Sequence, residues 1–198
     1  MSPAEQIQQY WEKQDETRTA ENAEKFPVEA VMWYLNDKRE CLGADALSPE
    51  ERVIVRLREF RTYGPGSYFQ YQIVEEFPEI LRDLRNVGCP ELAELLEQCM
   101  RVILKGKKVP RSRDKFDMLV EKLHGDSECW QEEVERILDG SDRYEQDFWE
   151  KLEAHTLAHA KSHDIPATRE AIAVERLGWL KQGKWMLPFP PFHKYSAG

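Results

Sequence analysis

Apolar residues recur at intervals of three and four along nearly the whole chain, and no stretch alternates apolar and polar positions between turn residues as a half-buried strand would. The pattern predicts an all-α fold: a single compact multi-helix bundle of eight or nine helices with an irregular Pro-rich C-terminal tail. A first helix is expected from about Pro3 to Ala23, with Ile7, Tyr10, Trp11 and Gln14 on one side. Pro27 opens a second through Val31, Trp33, Tyr34 and Leu35, which Gly43 ends. Ser48-Pro49-Glu50-Glu51 places an N-cap, a proline at the first helical position and a capping-box glutamate in register, ahead of Val53, Ile54, Leu57 and Phe60.

Gly64-Pro65-Gly66 predicts a stop, because glycine permits a tight reversal and proline lacks the helical donor. A new helix is expected from about Ser67 through Tyr68, Phe69, Tyr71, Ile73 and Val74, with Pro78 kinking it or starting another. Ile80, Leu81, Leu84 and Val87 lead to a C-capping Gly88, and Pro90 opens a helix carrying Leu92, Leu95, Leu96, Cys99, Val102 and Ile103. Leu119, Val120 and Leu123, then Trp130, Val134, Ile137 and Leu138, then Phe148, Trp149 and Leu152 keep helical spacing, and a last helix is expected from Pro166 to Leu180. Residues 1–183 thus read as one helical domain and 184–198 as the tail, whose Trp185, Phe189 and Phe192 suit docking on a neighbouring surface. Trp33, Trp130, Trp149 and Trp179 fall in register with aliphatics, as core residues do.

Charge changes the picture after Leu104. Residues 101–115 hold seven bases against one acid, a net charge of +6, whereas residues 126–153 hold eleven acids against three bases, a net charge of −8. The chain as a whole carries −9, which argues against direct nucleic-acid binding through a broad basic face. Carboxylates spaced along a rigid helix suit a basic protein, and the candidate partner-binding residues are Glu128, Glu132, Glu133, Glu135, Asp139, Asp142 and Glu145. A helix rising about 1.5 Å per residue is able to imitate a few duplex phosphates, although an acidic helix face is also an ordinary solvated surface. The loop Lys105–Arg113 offers anions Lys and Arg but no interleaved aromatics for base stacking; it reads first as a solvated connection, or as a partner for the acidic helices of the same or a second chain.

Catalytic chemistry is not signalled. The sequence has no GxSxG elbow, Walker loop, GxGxxG turn or HExxH pair. His155, His159 and His163 share a helix face at four-residue spacing, which would let two of them hold a metal, but a partly exposed face is the plainer reading. No catalytic residue, metal site or cofactor is expected. The four cysteines form no CxxC pair and read as buried reduced thiols. MSPAEQIQQYWEK lacks a basic and an apolar leader region, and the longest apolar run, Ala30 to Leu35, is far short of the roughly 18 residues of a membrane span. The expected address is the cytoplasm, with no membrane partner.

Leu47-Ser48-Pro49-Glu50-Glu51-Arg52, then Gly64-Pro65-Gly66-Ser67-Tyr68-Phe69-Gln70-Tyr71, then Leu84-Arg85-Asn86-Val87-Gly88-Cys89 and Ala93-Glu94-Leu95-Leu96 together resemble the DNA-mimic protein (DMP) family. Gly66, Tyr68, Gln70 and Tyr71 match that family's turn motif, and Val87, Gly88 and Cys89 match its helix end; Ser67 and the residues from Tyr63 to Pro65 depart from it. The likeness spans about residues 47–103. It implies an all-α, often dimeric, non-catalytic protein whose surface carboxylates stand where DNA phosphates would lie and occupy the DNA-binding face of a basic protein such as a transcription factor. The rivals are an immunity or antitoxin-like protein that neutralises a toxic enzyme and an unrecognised metal-dependent hydrolase with a deep pocket lined by perturbed carboxylates or by His155 and His159. The motif residues also have a purely structural reading, shaping a tight connection between two helices.

Overall fold

The computed structural model describes Glu5, Gln9 and residues 25–71, 74–125, 127, 129–139, 141–166 and 169–182, of which 63–71, 142, 143, 169 and 170 by backbone alone. Among the described residues the fold is all-α, with eight α-helices and no strand. They are α1 (Pro27–Leu42), α2 (Pro49–Tyr71), α3 (Phe77–Asn86), α4 (Pro90–Leu104), α5 (Arg113–His124), α6 (Cys129–Leu138), α7 (Asp142–Ser162) and α8 (Arg169–Lys181), with 3-10 turns at Ala44–Ala46 and Val74–Glu76. The expected first helix at Pro3 to Ala23 and the aromatic tail lie outside the described residues.

Local chemistry explains most boundaries. At the start of α2 the capping box is closed on both sides: Glu51 N–H donates to Ser48 Oγ at 3.2 Å, and Ser48 N–H donates to Glu51 Oε2 at 2.7 Å. α3 ends in a Schellman turn, where Cys89 N–H donates to Leu84 O at 2.8 Å and Gly88 N–H to Arg85 O at 3.1 Å. Gly88 takes φ +88°, a left-handed conformation that a side chain would disfavour. α4 ends the same way, but Lys105 rather than a glycine occupies the left-handed position at φ 47°.

One predicted boundary is wrong. The helix does not stop at Gly64-Pro65-Gly66; α2 runs through them to Tyr71, so Gly66, Tyr68, Gln70 and Tyr71 form helix rather than a turn ahead of one. Pro65 removes a single backbone donor, the one that would serve the carbonyl of Arg61. Arg61 and Thr62 are exposed, so water is at hand for that carbonyl. The chain then breaks at the Val74–Glu76 turn, and Pro78 sits in the first turn of α3, where its missing donor is not needed.

The chain divides into two compact units, residues 53–155 and residues 1–52 with 156–198. Within residues 53–155, α4 packs against α3, α5 and α6. Leu57 and Phe60, Ile80 and Leu84, Leu92, Leu96 and Ile103, Phe116, Val134, Phe148 and Leu152 form one core there, and the rings of Phe60 and Phe148 meet edge to face at 5.8 Å. A buried ion pair interrupts it: Arg56 Nη1 bonds Asp83 Oδ2, and Asp83 is 0% exposed. Arg56 Nε also lies 3.6 Å from Glu76 Oε2. In the other unit α1 packs against α8, Leu35, Ile172 and Trp179 are buried, and Arg176 Nη1 lies 3.4 Å from Asp37 Oδ2 with both side chains inaccessible. Burial pushes the Tyr34 hydroxyl up to about 12, with Glu51 and Glu175 adding repulsion.

Candidate functional site

α6 carries the acidic face, and its sequence dictates which side faces out. At about 100° per residue, Trp130, Val134, Ile137 and Leu138 share one side, and Glu132, Glu135 and Asp139 fall within an arc of about 60° opposite. Val134 is buried, and Trp130, Ile137 and Leu138 pack partly buried against the core. Glu132, Glu133, Glu135 and Asp139 are exposed. The entry to the helix is fixed by Cys129 N–H donating to Ser127 Oγ at 3.4 Å and by the His124 ring, which lies 5.8 Å from Trp130 and bonds Ile103 O at 2.8 Å. At the far end Asp139 N–H donates to Glu135 O at 2.8 Å.

The electrostatics separate these acids from others nearby. Asp117 is paired with Arg113 at 2.9 Å, Glu97 with Arg85 at 2.9 Å and Asp147 with Lys151 at 2.7 Å. Glu150 accepts from Gln146 at 2.7 Å. Among the described residues Glu132, Glu133, Glu135 and Asp139 have no ion pair or side-chain hydrogen bond. Arg136 is exposed on the same face, four acids to one base. Of the remaining predicted acids, Glu145 is exposed on the first turns of α7, Asp142 is placed by backbone alone at the start of that helix, and Glu128 lies outside the described residues.

Among the described residues, the lysines and Arg111 of the basic loop are not neutralised by those acids. Lys105 Nζ donates to Leu123 O at 2.7 Å, and Arg113 pairs within its own helix while its N–H donates to Glu75 Oε1 at 3.1 Å. Among the described residues, Lys105, Lys107, Lys108 and Arg111 make no ion pair with α6 or α7. Lys107, Lys108 and Arg111 are exposed, and clefts of about 310 Å³ and about 440 Å³ open beside them.

Of His155, His159 and His163, the first is half-buried, and its Nε2 is inaccessible with no hydrogen-bond partner among the described residues. His159 is buried and His163 exposed; their rings lie 4.2 Å apart, and His163 Nδ1 approaches Ser162 Oγ at 2.8 Å and His159 O at 3.1 Å. Among the described residues no group of three or more His, Cys, Asp or Glu side chains is set to hold a metal ion, and no helix is long and apolar enough to cross a membrane. Three of the four cysteines are buried as expected, but Cys129, at the first position of α6, is exposed. Burial pushes the Cys41 and Cys99 thiols up to about 12 and that of Cys89 to about 11.

Reading the sequence passed over the two buried ion pairs and the clefts beside the basic loop. A trace of the first was present: Arg56 stands in the apolar register of Val53, Leu57 and Phe60, and Asp83 in that of Ile80, Leu84 and Val87. Charges in inward positions need partners, and those two are each other's. Comparison of the chain with family models, with curated proteins and with solved structures finds no match.

Proposed function

We propose that this chain is a non-catalytic binding protein whose α6 carboxylates engage a basic protein, standing in for the phosphates of a DNA strand. The observation that carries the proposal is the unneutralised row Glu132, Glu135 and Asp139, with Glu133 beside it, on a helix whose opposite side is anchored in the core. From Glu132 to Asp139 the helix rises about 10 Å, roughly three phosphate steps along one DNA strand. Free carboxylates held at fixed spacing make charge-assisted bonds to Lys and Arg without first breaking internal pairs. Exposed pairs elsewhere, such as Asp147–Lys151, are worth little to a partner because each acid already has its cation. The resemblance of residues 47–103 to the DNA-mimic protein family supports the same reading, although its motif residues lie on α2 and in the α3–α4 connection rather than on the acidic face.

The test is an affinity capture from the source lysate at about 0.1 M and about 0.5 M salt, where screening lengths differ about twofold. A second bait carries Glu132→Gln, Glu133→Gln, Glu135→Gln and Asp139→Asn. A DNA-binding protein retained by the unmodified bait at low salt and lost from the amide bait is the expected result. A partner retained equally by both baits at both salts overturns the proposal.

A further inference from the structure

We propose that the cleft bounded by α3, α4 and the loop between Lys105 and Ser112 binds an amphipathic anion, a small molecule with an apolar body and one carboxylate head. The cleft measures about 310 Å³, at the lower end of the range for small-molecule sites. Phe77, Leu81, Met100 and Val109 supply apolar wall, and Arg101, Lys107 and Lys108 stand along it. Glu97, an acid in the same wall, is already held by Arg85 Nη2 at 2.9 Å. The three cations are exposed and have no ion pair among the described residues. An apolar surface beside uncompensated positive charge matches a ligand that joins those two chemistries in one molecule: the body removes hydrocarbon surface from water, and the head meets the cations.

The neighbouring cleft gives the ligand a direction. It shares Pro78, Lys108 and Val109 with the first and is lined also by Glu75, Glu79 and Arg111. Glu79 Oε2 is buried without a hydrogen-bond partner. With Glu75 and Glu79 offsetting Arg111 there, the uncompensated positive charge lies on the Arg101, Lys107 and Lys108 side, and a single-headed ligand places its head there. Nothing in this argument involves the α6 carboxylates, so either proposal stands or falls without the other.

The experiment titrates the full chain with decanoate below its micelle concentration and follows backbone amides by heteronuclear NMR. Saturable shifts confined to Leu81, Met100 and the 106–109 stretch are expected. Sebacate, the diacid of the same length, and 1-decanol should each bind at least about tenfold more weakly, a difference of about 1.4 kcal/mol. The doubly substituted Lys107→Gln/Lys108→Gln chain should lose at least about tenfold in decanoate affinity. The decanoate, sebacate and decanol comparison uses the unmodified protein, so it does not depend on how the variant folds. Decanol or sebacate binding as tightly as decanoate, shifts centred elsewhere, or no saturable binding overturns the proposal.

Discussion

Breaking the Arg56–Asp83 pair from either side should cost more than removing both partners together. Asp83 is 0% exposed and Arg56 18% exposed, so each single substitution strands a largely desolvated charge. Losing one partner of a buried pair costs about 3–5 kcal/mol. The lower end applies here, because partial partners remain: Glu76 Oε2 stays 3.6 Å from Arg56 Nε, and Arg82 Nε stays 3.3 Å from Asp83 Oδ1. We therefore expect Arg56→Met and Asp83→Leu to cost about 3 kcal/mol each, and the double substitution, which strands no charge, about 1 kcal/mol or less rather than about 6 kcal/mol, a coupling of about 5 kcal/mol. The assay is urea unfolding of all four chains, followed by helical circular dichroism and by tryptophan fluorescence. Coincident transitions and equal slopes are required before the free energies are compared. Additivity within about 0.5 kcal/mol would refute the reasoning, because stranded charges that do not notice each other are not desolvated together.

Three further outcomes follow from the same geometry. With a disulfide reagent at about pH 8, the Cys129 thiol should react at once, and Cys41, Cys89 and Cys99 only after denaturation, because burial holds them protonated as well as inaccessible. Thiol titration of the native protein that consumes all four promptly would contradict the burial described. Gly88→Ala should lower stability by roughly 1–2 kcal/mol through backbone strain at φ +88°, since an added Cβ meets nothing closer than Lys151 Cδ at 3.8 Å. Thermal unfolding reads this directly, and an unchanged midpoint would sink it. The Glu76 carboxyl is raised above its ordinary value, chiefly by desolvation and further by Glu59, Glu79 and Asp83, against the pull of Arg56. A raised carboxyl binds its proton more tightly in the folded state, so its contribution to stability grows as pH falls through the folded pKa and is lost as pH rises. The unmodified chain should therefore gain stability relative to Glu76→Gln as pH falls from neutrality toward the ordinary carboxylate value of 4.5, measured by urea midpoints; a difference that is independent of pH, or that shrinks on acidification, would refute the raised carboxyl.

The fold class was legible because helical periodicity persists through nearly every described segment, and the Ser48–Glu51 box and the Gly88 turn are local devices readable from three or four residues. Gly64-Pro65-Gly66 misled for the opposite reason. Helix breakers carry a cost of a few kcal/mol at most, and α2, anchored by Ile54, Leu57 and Phe60 on the core side, continues through them. The acidic positions of α6 were also legible, since spacing alone places Glu132, Glu135 and Asp139 opposite Val134. Which acids are neutralised was not. Glu97 and Glu51 receive Arg85 and Lys38 from other helices, at 2.9 Å and 2.7 Å, and no window of sequence reveals that the α6 acids receive none among the described residues. The cleft beside Lys107 was hidden in the same way, because its walls come from α3, α4 and the loop at once.

The central claim is that the α6 carboxylates take the place of DNA phosphates, and competition for the captured partner tests it most directly. A labelled duplex is bound to that partner, and displacement by the unmodified chain is compared with displacement by the chain carrying Glu132→Gln, Glu133→Gln, Glu135→Gln and Asp139→Asn. Displacement by the unmodified chain should fade between about 0.1 M and about 0.5 M salt, and the amide chain should displace none. A partner that holds duplex and chain together, or yields its duplex equally to both chains, would contradict the claim.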